Sequence, residues 1–453
     1  MTWQLFSVIV ILTIFFVNGV VGVTFKDVTV WNEDTNEVIV NIKSSETLKD
    51  HLPHGLLRAV SITGKIPILH ENSVADINNV NHLNFIQNEI EEIRPGAFRN
   101  LNGVHIIHIL LSNFTTIKEG VFANLTIEEL QISNKLVSKI EVGAFKDLPQ
   151  LRNLNLQHNS LETLDGNVFD GLNIDTLDLS HNLISKLPQN IFRNLPHLKM
   201  LALANNQLKL VQTDVLDHLP VEYLDLSSNL ISTLDEGVFN NMPQLKSIVL
   251  SRNKLTTVPE GVFNNLDLTL VKLDSNKIAF IAPKAFDNMP KLANIYLSSN
   301  ELSKYDTNWF HNTPEIYRLY LAYNLIEDIP DEAFKNIYND KEQWIRLDSN
   351  KIRNIAPNAF KGLRKLDTLN LSYNKIEVWN ENILADAEVV FYLQLAHNDI
   401  KCVDGDFDKI FEANFTYLTG NPLTPQCAKD IEAWASKERP EKHVVCLAHC
   451  NLY

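Results

Sequence analysis

The sequence predicts an α/β solenoid, in which similar coils stack and each coil adds one strand to a parallel sheet. The first observation is a template over residues 177–192, LDLSHNLISKLPQNIF, whose apolar spacing around one asparagine returns every 23 or 24 residues, with one interval of 26. The second is its Leu-x-Leu alternation, which has the period of a half-buried strand. A fixed period of this length indicates a solenoid.

The asparagine and the phenylalanine of the template have separate physical roles. After the strand, where the chain turns inward, an amide can pair with backbone groups of neighbouring coils that are otherwise buried unpaired. The template asparagines are Asn88, Asn159, Asn182, Asn206, Asn229, Asn253, Asn276, Asn300, Asn324, Asn350, Asn374 and Asn398. Ser112 and Lys135 are predicted to fill the two imperfect positions between Asn88 and Asn159.

Ten positions after the asparagine, a phenylalanine is predicted to fill the wider outer side of each coil. Aromatic burial dominates the energy of a core, so this column should be a major cohesive element. Its members are Phe98, Phe122, Phe145, Phe169, Phe192, Phe239, Phe263, Phe286, Phe310, Phe334 and Phe360.

One full repeat, LKSIVLSRNKLTTVPEGVFNNL over residues 245–266, fits the pattern LxxLxLxxNxLxxLpxxxFxxL. This pattern resembles the typical extracellular leucine-rich repeat of Toll-receptor ectodomains, Slit and many secreted arthropod and vertebrate proteins. The resemblance covers roughly residues 57–423, in about fifteen turns. It implies a leucine-rich repeat horseshoe with the parallel sheet on its concave face, and by analogy a role in innate immunity, adhesion or developmental signalling.

Four segments are expected along the chain. Residues 1–22 hold a short apolar run without charged side chains and are predicted to be a cleaved signal peptide, with no membrane span after cleavage. Residues 23–56 alternate in a β-rich pattern that predicts an N-terminal hairpin cap. The solenoid is expected over residues 57–423, and a C-terminal cap over residues 424–453.

The C-terminal cap is predicted to be helical and stabilised by disulfides. TGNPLTPQC resembles the NPxxC signature that opens the caps of this family, and the helix that follows would place Ile431 and Trp434 on one face. An even number of cysteines in a secreted chain predicts two disulfides, with three alternative pairings. The cysteines are Cys402, Cys427, Cys446 and Cys450.

Composition argues against nucleic acid and against catalysis. The formal net charge is −15 and the pI is near 5.4, whereas phosphate binding depends on clustered Lys and Arg. The chain contains no Gly-rich phosphate loop, nucleophile elbow or zincin helix. We therefore expect a non-enzymatic protein without a cofactor.

Three groups of polar residues resemble metal or pH-sensing sites without completing them. In an oxidising compartment, disulfides are favoured over a zinc site built from His443, Cys446, His449 and Cys450. A calcium loop would start at Asp404, Asp406 and Asp408, but Lys409 and Phe415 occupy its glycine and glutamate positions. Several strand histidines are interpreted as surface or packing residues, with a pH-responsive patch as the alternative. They are His82, His105, His108, His158 and His181.

Recognition is left as the predicted function, and the repeat period indicates where it occurs. Equal template positions of successive strands form columns about 4.8 Å apart on the concave face. Tyr, Trp and Arg, which are enriched at binding hot spots, gather in the later columns. The alternative is that these aromatics simply suit strands. The predicted protein-binding residues are Tyr296, Tyr317, Arg318, Tyr320, Tyr323, Trp344, Arg346, Tyr373 and Tyr392.

Four sequons predict N-glycosylation, at Asn113, Asn124, Asn370 and Asn414. Asn370 falls in the central concave column, so a glycan there would restrict a protein ligand to its N-terminal side or to a flank.

Between residues 104 and 140 the template loosens and places extra apolar side chains at Ile106, Leu110 and Leu111. A distorted coil that packs them is favoured over an exposed contact patch, because scattered apolar residues are common and patches are not.

Three functional hypotheses follow. The first is a secreted, extracellular recognition protein that binds a protein ligand through its concave face. The second is a matrix or assembly subunit that forms homo-oligomers through its flanks or caps. The third is a non-catalytic regulator that sequesters a secreted enzyme or a receptor ligand. Fold analogy alone does not decide among them.

Overall fold

The computed structural model describes residues 23–337, 340–438 and 444–447, and the chain divides into two units, residues 1–201 and 202–453. The signal peptide predicted for residues 1–22 lies outside the described residues. In the part of the chain that is described, no helix is long and apolar enough to cross a membrane.

An antiparallel hairpin opens the first unit. Strand β1 (Phe25–Asn32) pairs with strand β2 (Glu37–Ser45), and β1 also pairs antiparallel with β3 (Leu57–Thr63). Strand β3 then runs parallel to the strand Val80–Ile86, so the hairpin covers the edge of the first coil. Phe25 and Val28 are buried beneath it. The predicted hairpin is therefore present, and it protects a strand edge that would otherwise be free to pair with other chains.

The first unit continues as coils that each contribute one parallel strand to a sheet. Neighbouring strands stay in register, so that Leu83, Ile107 and Leu130 lie side by side in the core. The strands after β3 are Val80–Ile86, Ile106–Leu110, Glu129–Ser133, Asn153–Asn155, Thr176–Asp178 and Met200–Ala202, the last at the boundary. Shorter strands on the return paths are Ile68–Leu69, Val74–Ala75, Glu92–Ile93, Phe98–Arg99, Thr116–Ile117 and Lys139–Ile140.

The second unit repeats the same architecture. Its sheet strands are Tyr223–Asp225, Ser247–Val249, Leu270–Lys272, Asn294–Tyr296, Arg318–Tyr320, Gln343–Arg346, Lys365–Asn370, Val389–Gln394, Phe415–Tyr417 and Val444–Cys446. The short strands of the return paths are Thr257–Val258, Phe280–Ile281, Asp328–Ile329, Asn354–Ile355, Trp379–Asn380 and Val403–Asp404. The predicted solenoid with parallel strands is confirmed. Among the described residues helix is scarce, because most return paths are built from turns.

The template asparagines form a buried ladder between coils. In the second unit, the Asn276 amide nitrogen donates to the carbonyl oxygens of Leu250 and Leu273, each at 3.0 Å, and its side-chain oxygen accepts from the Leu255 N–H at 3.1 Å. Asn182 makes the same set of contacts in the first unit. One side chain thus satisfies backbone groups of its own coil and of the preceding coil, as the recurrence of asparagine predicts.

The predicted phenylalanine column is buried in both units. Phe122 stacks between Phe98 and Phe145, with ring centroids 5.3 and 6.4 Å away. Phe286 stacks between Phe263 and Phe310, at 5.7 and 5.5 Å. All eleven predicted members are buried, which confirms the column as part of the core.

The C-terminal cap combines helix and disulfide. Helix α1 (Thr213–Leu216) lies within a coil, whereas α2 (Phe407–Ile410) and α3 (Pro425–Glu438) close the second unit. Ile431 of α3 is buried, and the ring of Trp434 lies 5.2 Å from Phe411. Both residues therefore face the last coil, as predicted.

Of the three alternative cysteine pairings, the structure contains the one with a bond between Cys402 and Cys427. Cys446 is also disulfide-bonded, and Cys450 lies outside the described residues. The bond joins the last coil to α3, so the cap is covalently attached to the solenoid.

The prediction for Lys135 is wrong. Its neighbour Asn134 is buried and occupies the ladder position, where its side-chain oxygen accepts from the Ser112 N–H at 3.2 Å. Lys135 is exposed and adopts a left-handed backbone, with φ of 64°. A long cation cannot enter a dry ladder without losing its hydration, so this coil turns one residue earlier and buries the amide instead.

The favoured interpretation of the loosened segment is only partly right. Ile106 and Leu110 are half-buried, but Leu111 is 46% exposed. Leu111 occupies the left-handed turn position that precedes the ladder residue, with φ of 57°, and this position projects away from the core. A single exposed leucine is ordinary on a protein surface and makes no patch by itself.

Candidate protein-recognition face

The sheet of the second unit has one face away from its core, here called the strand face. Its predicted central column is confirmed by the strand register, which places equal template positions side by side. In order along the sheet these are Asp225, Val249, Lys272, Tyr296, Tyr320, Arg346, Asn370 and Gln394. The neighbouring column carries Arg318, Trp344, Thr368 and Tyr392 in the same way.

Two tyrosines form the centre of the face. The rings of Tyr296 and Tyr320 meet edge to face, with centroids 4.8 Å apart, and the Lys272 ammonium lies 5.2 Å from the centroid of Tyr296. Burial, followed by the nearby Tyr296, raises the pKa of Tyr320, so its hydroxyl stays protonated and available as a donor. This pair offers apolar area with a polar edge, the composition of a binding hot spot.

Arg318 lies between two aromatic rings on adjacent coils. Its guanidinium carbon is 5.2 Å from the centroid of Tyr317 and 5.6 Å from that of Trp344, which is 37% exposed. Lys341 approaches Tyr317 at 5.3 Å and also pairs with Glu315 at 2.6 Å. We call Tyr296, Tyr317, Arg318, Tyr320 and Trp344 the aromatic cluster.

Arg346 also lies on the strand face, but its positive charge is already paired with a carboxylate of the protein. Its Nε and Nη2 each donate to the buried carboxylate of Asp348 at 3.0 Å, and this hydrogen bond is the main reason that the pKa of Arg346 is raised. Two parallel hydrogen bonds of this kind hold both side chains in one geometry. Arg346 therefore supports the face more than it offers donors to a ligand.

Tyr323 and Tyr373 line a pocket of about 220 Å³ beside the aromatic cluster. They are 61% and 57% exposed, and the ring of Tyr373 stacks on His397 with centroids 4.3 Å apart. Polar groups complete the walls, namely Asp348, Ser349, Asn370, Ser372, Gln394, Tyr417 and Thr419. The mixture of flat rings and hydrogen-bonding groups suits a protruding polar side chain of a partner.

Sequence reasoning missed His397 and Tyr417 in this pocket. A signal for His397 was present, because Tyr323, Tyr373 and His397 each immediately precede a ladder asparagine. All three adopt a left-handed backbone, with φ of 55° to 56°, where the chain turns out of its strand. This conformation is uncommon for residues other than glycine, and here it holds the three side chains in one row.

Tyr392 lies in a different group. Its ring stacks on Phe415 at 5.2 Å and meets Phe391 at 4.6 Å. The structure therefore places seven of the nine predicted residues in the aromatic cluster or its adjoining pocket, and Arg346 in the central column between them. It assigns Tyr392 to a separate aromatic group.

In the first unit the corresponding face is polar and internally paired. His105 lies 2.9 Å from Glu128, and His108 lies 2.9 Å from Glu129 of the next coil. His158 stacks on His181 at 4.2 Å, and burial followed by the charge of His181 lowers the pKa of His158. The fifth predicted histidine, His82, is half-buried in its strand.

The acidic turn of the cap is structural. Asp406 caps α2 by accepting from the Asp408 N–H at 3.0 Å, and Asp408 accepts from the Trp434 indole at 2.9 Å. Within the described residues, no group of three or more His, Cys, Asp or Glu side chains is arranged to hold a metal ion.

The sequons occupy different environments. Asn113 and Asn124 are exposed, whereas Asn370 and Asn414 are half-buried. Asn370 lines the pocket, and its side-chain oxygen accepts from the Ser372 N–H at 3.0 Å. Glycosylation at the four positions stays a prediction.

Models of known repeat families match most of the chain. The BspA type leucine rich repeat region matches residues 43–139 and 211–341, and the general leucine rich repeat matches 126–184, 173–221 and 343–400. The chain belongs to the leucine-rich repeat family. Among curated members of the family, lumican of Rattus norvegicus is 35% identical over 112 residues, which span 24% of this chain and 31% of lumican.

Solved leucine-rich repeat structures share the fold at low sequence identity. A Leptospira interrogans protein has a TM-score of 0.64 at 22% identity, covering 82% of this chain and 90% of that one. Drosophila Toll, in its complex with Spatzle, has a TM-score of 0.67 at 19% identity, covering 84% and 52%. TLR13 in complex with ssRNA13 gives 0.55 at 16% identity, covering 88% and 73%.

Proposed function

We propose that this chain is a non-enzymatic, extracellular recognition module that binds a protein ligand on the strand face of its second unit. The observation that carries the proposal is the aromatic cluster, which gathers tyrosine, tryptophan and arginine from three successive coils on one surface. These residue types dominate the energetics of protein interfaces when they cluster. The pocket beside the cluster adds a recess for one ligand side chain.

Several observations support a protein ligand in an extracellular setting. The Cys402–Cys427 disulfide fits an oxidising compartment, and the four sequons fit a secretory route. Toll, which shares the fold, was solved with the protein Spatzle. TLR13 was solved with RNA, but the net charge of −15 here disfavours a polyanion.

The test is a capture experiment from the extracellular fluid of the source organism. Immobilised wild type is compared with Tyr320→Ala/Trp344→Ala, which should reduce recovery of the specific protein about tenfold or more, because two hot-spot side chains are removed. Tyr223→Ala is the control, since Tyr223 lies in the same column as Trp344 but outside the cluster. Equal recovery by all three proteins would refute the proposed site.

The identity of the captured protein separates ligand binding from the third hypothesis. A recovered secreted enzyme whose activity falls on binding would make this chain a regulator. A recovered receptor ligand that is then withheld from its receptor would make it a sequestering inhibitor.

Self-association is the second candidate function. A second recess of about 370 Å³ on the second unit is lined in part by the buried Leu366 and by Val389 and Phe391, which are 49% and 37% exposed. Exposed apolar area of this kind can mediate homo-oligomers. Light scattering over a range of concentrations tests it, because a monodisperse monomer at high concentration would contradict an assembly role.

A further inference from the structure

We propose that Arg318 receives a carboxylate of the protein ligand, so that the partner presents an Asp or Glu side chain next to an apolar or aromatic one. This inference rests on the proposed function and names the chemistry of its partner. It starts from the four cations on and around the aromatic cluster, Lys272, Arg318, Lys341 and Arg346.

Two of these cations already have carboxylate partners, and two do not. Arg346 pairs with Asp348, and Lys341 pairs with Glu315. Within the described part of the chain, neither Arg318 nor Lys272 has a carboxylate within 4.0 Å. In a chain with 55 acidic residues, two unpaired cations two strands apart on one face contribute local positive charge.

The surroundings of Arg318 preorganise its guanidinium for binding an anion. The rings of Tyr317 and Trp344 flank its guanidinium and restrict its rotation, so little conformational entropy is lost when a ligand binds. Its Nε is buried and donates to no acceptor among the described residues. A guanidinium that is partly stripped of water and unpaired attracts a carboxylate more strongly than a fully hydrated one does.

The surroundings favour a single carboxylate over a polyanion. Sulfated polysaccharides and nucleic acids require several free cations along a track, but of the four cations on and around the aromatic cluster only Arg318 and Lys272 have no carboxylate partner among the described residues. Tyr296 and Tyr320 adjoin them and can contact an apolar side chain of the same segment. An acidic residue flanked by an apolar or aromatic residue in a protein therefore matches both parts of the surface.

The probe is a phage library of random 12-residue peptides selected on the whole wild-type protein, followed by affinity measurements on the selected peptides. We expect enrichment of Asp or Glu next to an apolar residue. Arg318→Gln should weaken these peptides about 10- to 100-fold, as should replacing their acid by its amide. Because both changes remove one interaction, combining them should cost no more than either alone.

Arg353→Gln is the matched control, since it removes the same charge from an exposed position of the same unit outside the face. It should leave the peptide affinity unchanged, and thermal melting should be the same for both variants. Peptides that depend on Tyr320 but show no acidic enrichment, or acidic peptides indifferent to Arg318→Gln, would overturn this inference alone. If wild type selects only peptides that bind Tyr320→Ala equally well, the proposed face itself fails. Binding of heparin that is lost in Arg318→Gln, without acidic peptides, would identify a polyanion site instead.

Discussion

The two units have the same kind of interior and differ in what they place on the strand face. In the first unit the central column carries His108, Gln131, Asn155 and Asp178, and His108 pairs with Glu129 of the next coil. In the second unit the same column carries Lys272, Tyr296, Tyr320 and Arg346, and Lys272 lies over the ring of Tyr296. The buried Leu, Asn and Phe positions are alike in both.

This contrast shows which positions of the repeat are free to vary. Core positions are constrained because every coil must fit its neighbours at close packing. Positions on the strand face contact only solvent and adjacent face residues, so their identity changes without altering the coil. A recognition site can therefore be built on one unit while the other has the same fold and a polar, self-paired surface.

The largest expected effect tests whether the two interiors are equivalent. Phe122→Ala in the first unit and Phe286→Ala in the second each remove a ring stacked between two others. Each should destabilise its unit by about 3–5 kcal/mol, through lost burial and a cavity. Urea unfolding, followed by hydrogen exchange in each unit, measures this loss of stability. A loss in only one unit would show that the two interiors are not equivalent.

The asparagine ladder should be the next most sensitive feature. Asn182→Ala and Asn276→Ala each leave buried carbonyl and N–H groups of neighbouring coils without partners. Because each unsatisfied group costs about 1–3 kcal/mol, we expect a loss of about 2–4 kcal/mol in either unit. The exposed Asn167→Ala serves as control in the same assay. A ladder variant as stable as this control would contradict the role assigned to the amide.

The paired and unpaired arginines of the strand face should differ in stability. Arg346→Gln leaves the buried Asp348 carboxylate without its cation and should cost about 1–3 kcal/mol. Arg318→Gln removes no ion pair and should change the unfolding free energy by less than about 0.5 kcal/mol. Denaturant midpoints of the two variants decide this. Equal losses of unfolding free energy in the two variants would mean that Arg318 stabilises the fold as Arg346 does.

The smallest effect is a pH dependence confined to the first unit. Because burial lowers the pKa of His158, the unfolded chain takes up its proton before the folded chain does. Stability is therefore complete above about pH 6.5 and falls as the pH drops through this value towards the lower folded pKa. His158→Gln should flatten the melting temperature between about pH 7.5 and about pH 5. If the melting temperature of this variant depends on pH as steeply as that of the wild type, His158 is not the source of the pH dependence.

Much of the fold was predictable because the repeat signals it many times over. Period, strands, ladder and phenylalanine column were each supported by a dozen or so coils, so one irregular coil could not hide them. The exceptions are local. Lys135 was assigned to the ladder by counting, whereas burial selects Asn134; Leu111 was expected to pack, whereas its turn conformation exposes it.

The candidate site was predictable only as a set of residue types. Template columns correctly placed Tyr296, Tyr320 and Trp344 on one face. They did not reveal that Arg346 is engaged by Asp348 while Arg318 is unpaired, nor that His397 stacks on Tyr373. The Arg346–Asp348 pair forms within one coil, where residue types alone do not tell which charges meet, and the His397–Tyr373 stack forms between adjacent coils, so no single repeat contains it.

The sequence by itself determined the stacking of coils and the face on which the regular strand positions lie, because strand alternation and repeat length follow from local geometry. Only the tertiary structure decided which charges cancel, which rings meet, and that Cys402 bonds Cys427. The physical reason is that residues 23 or more positions apart come within contact distance only once the coils stack.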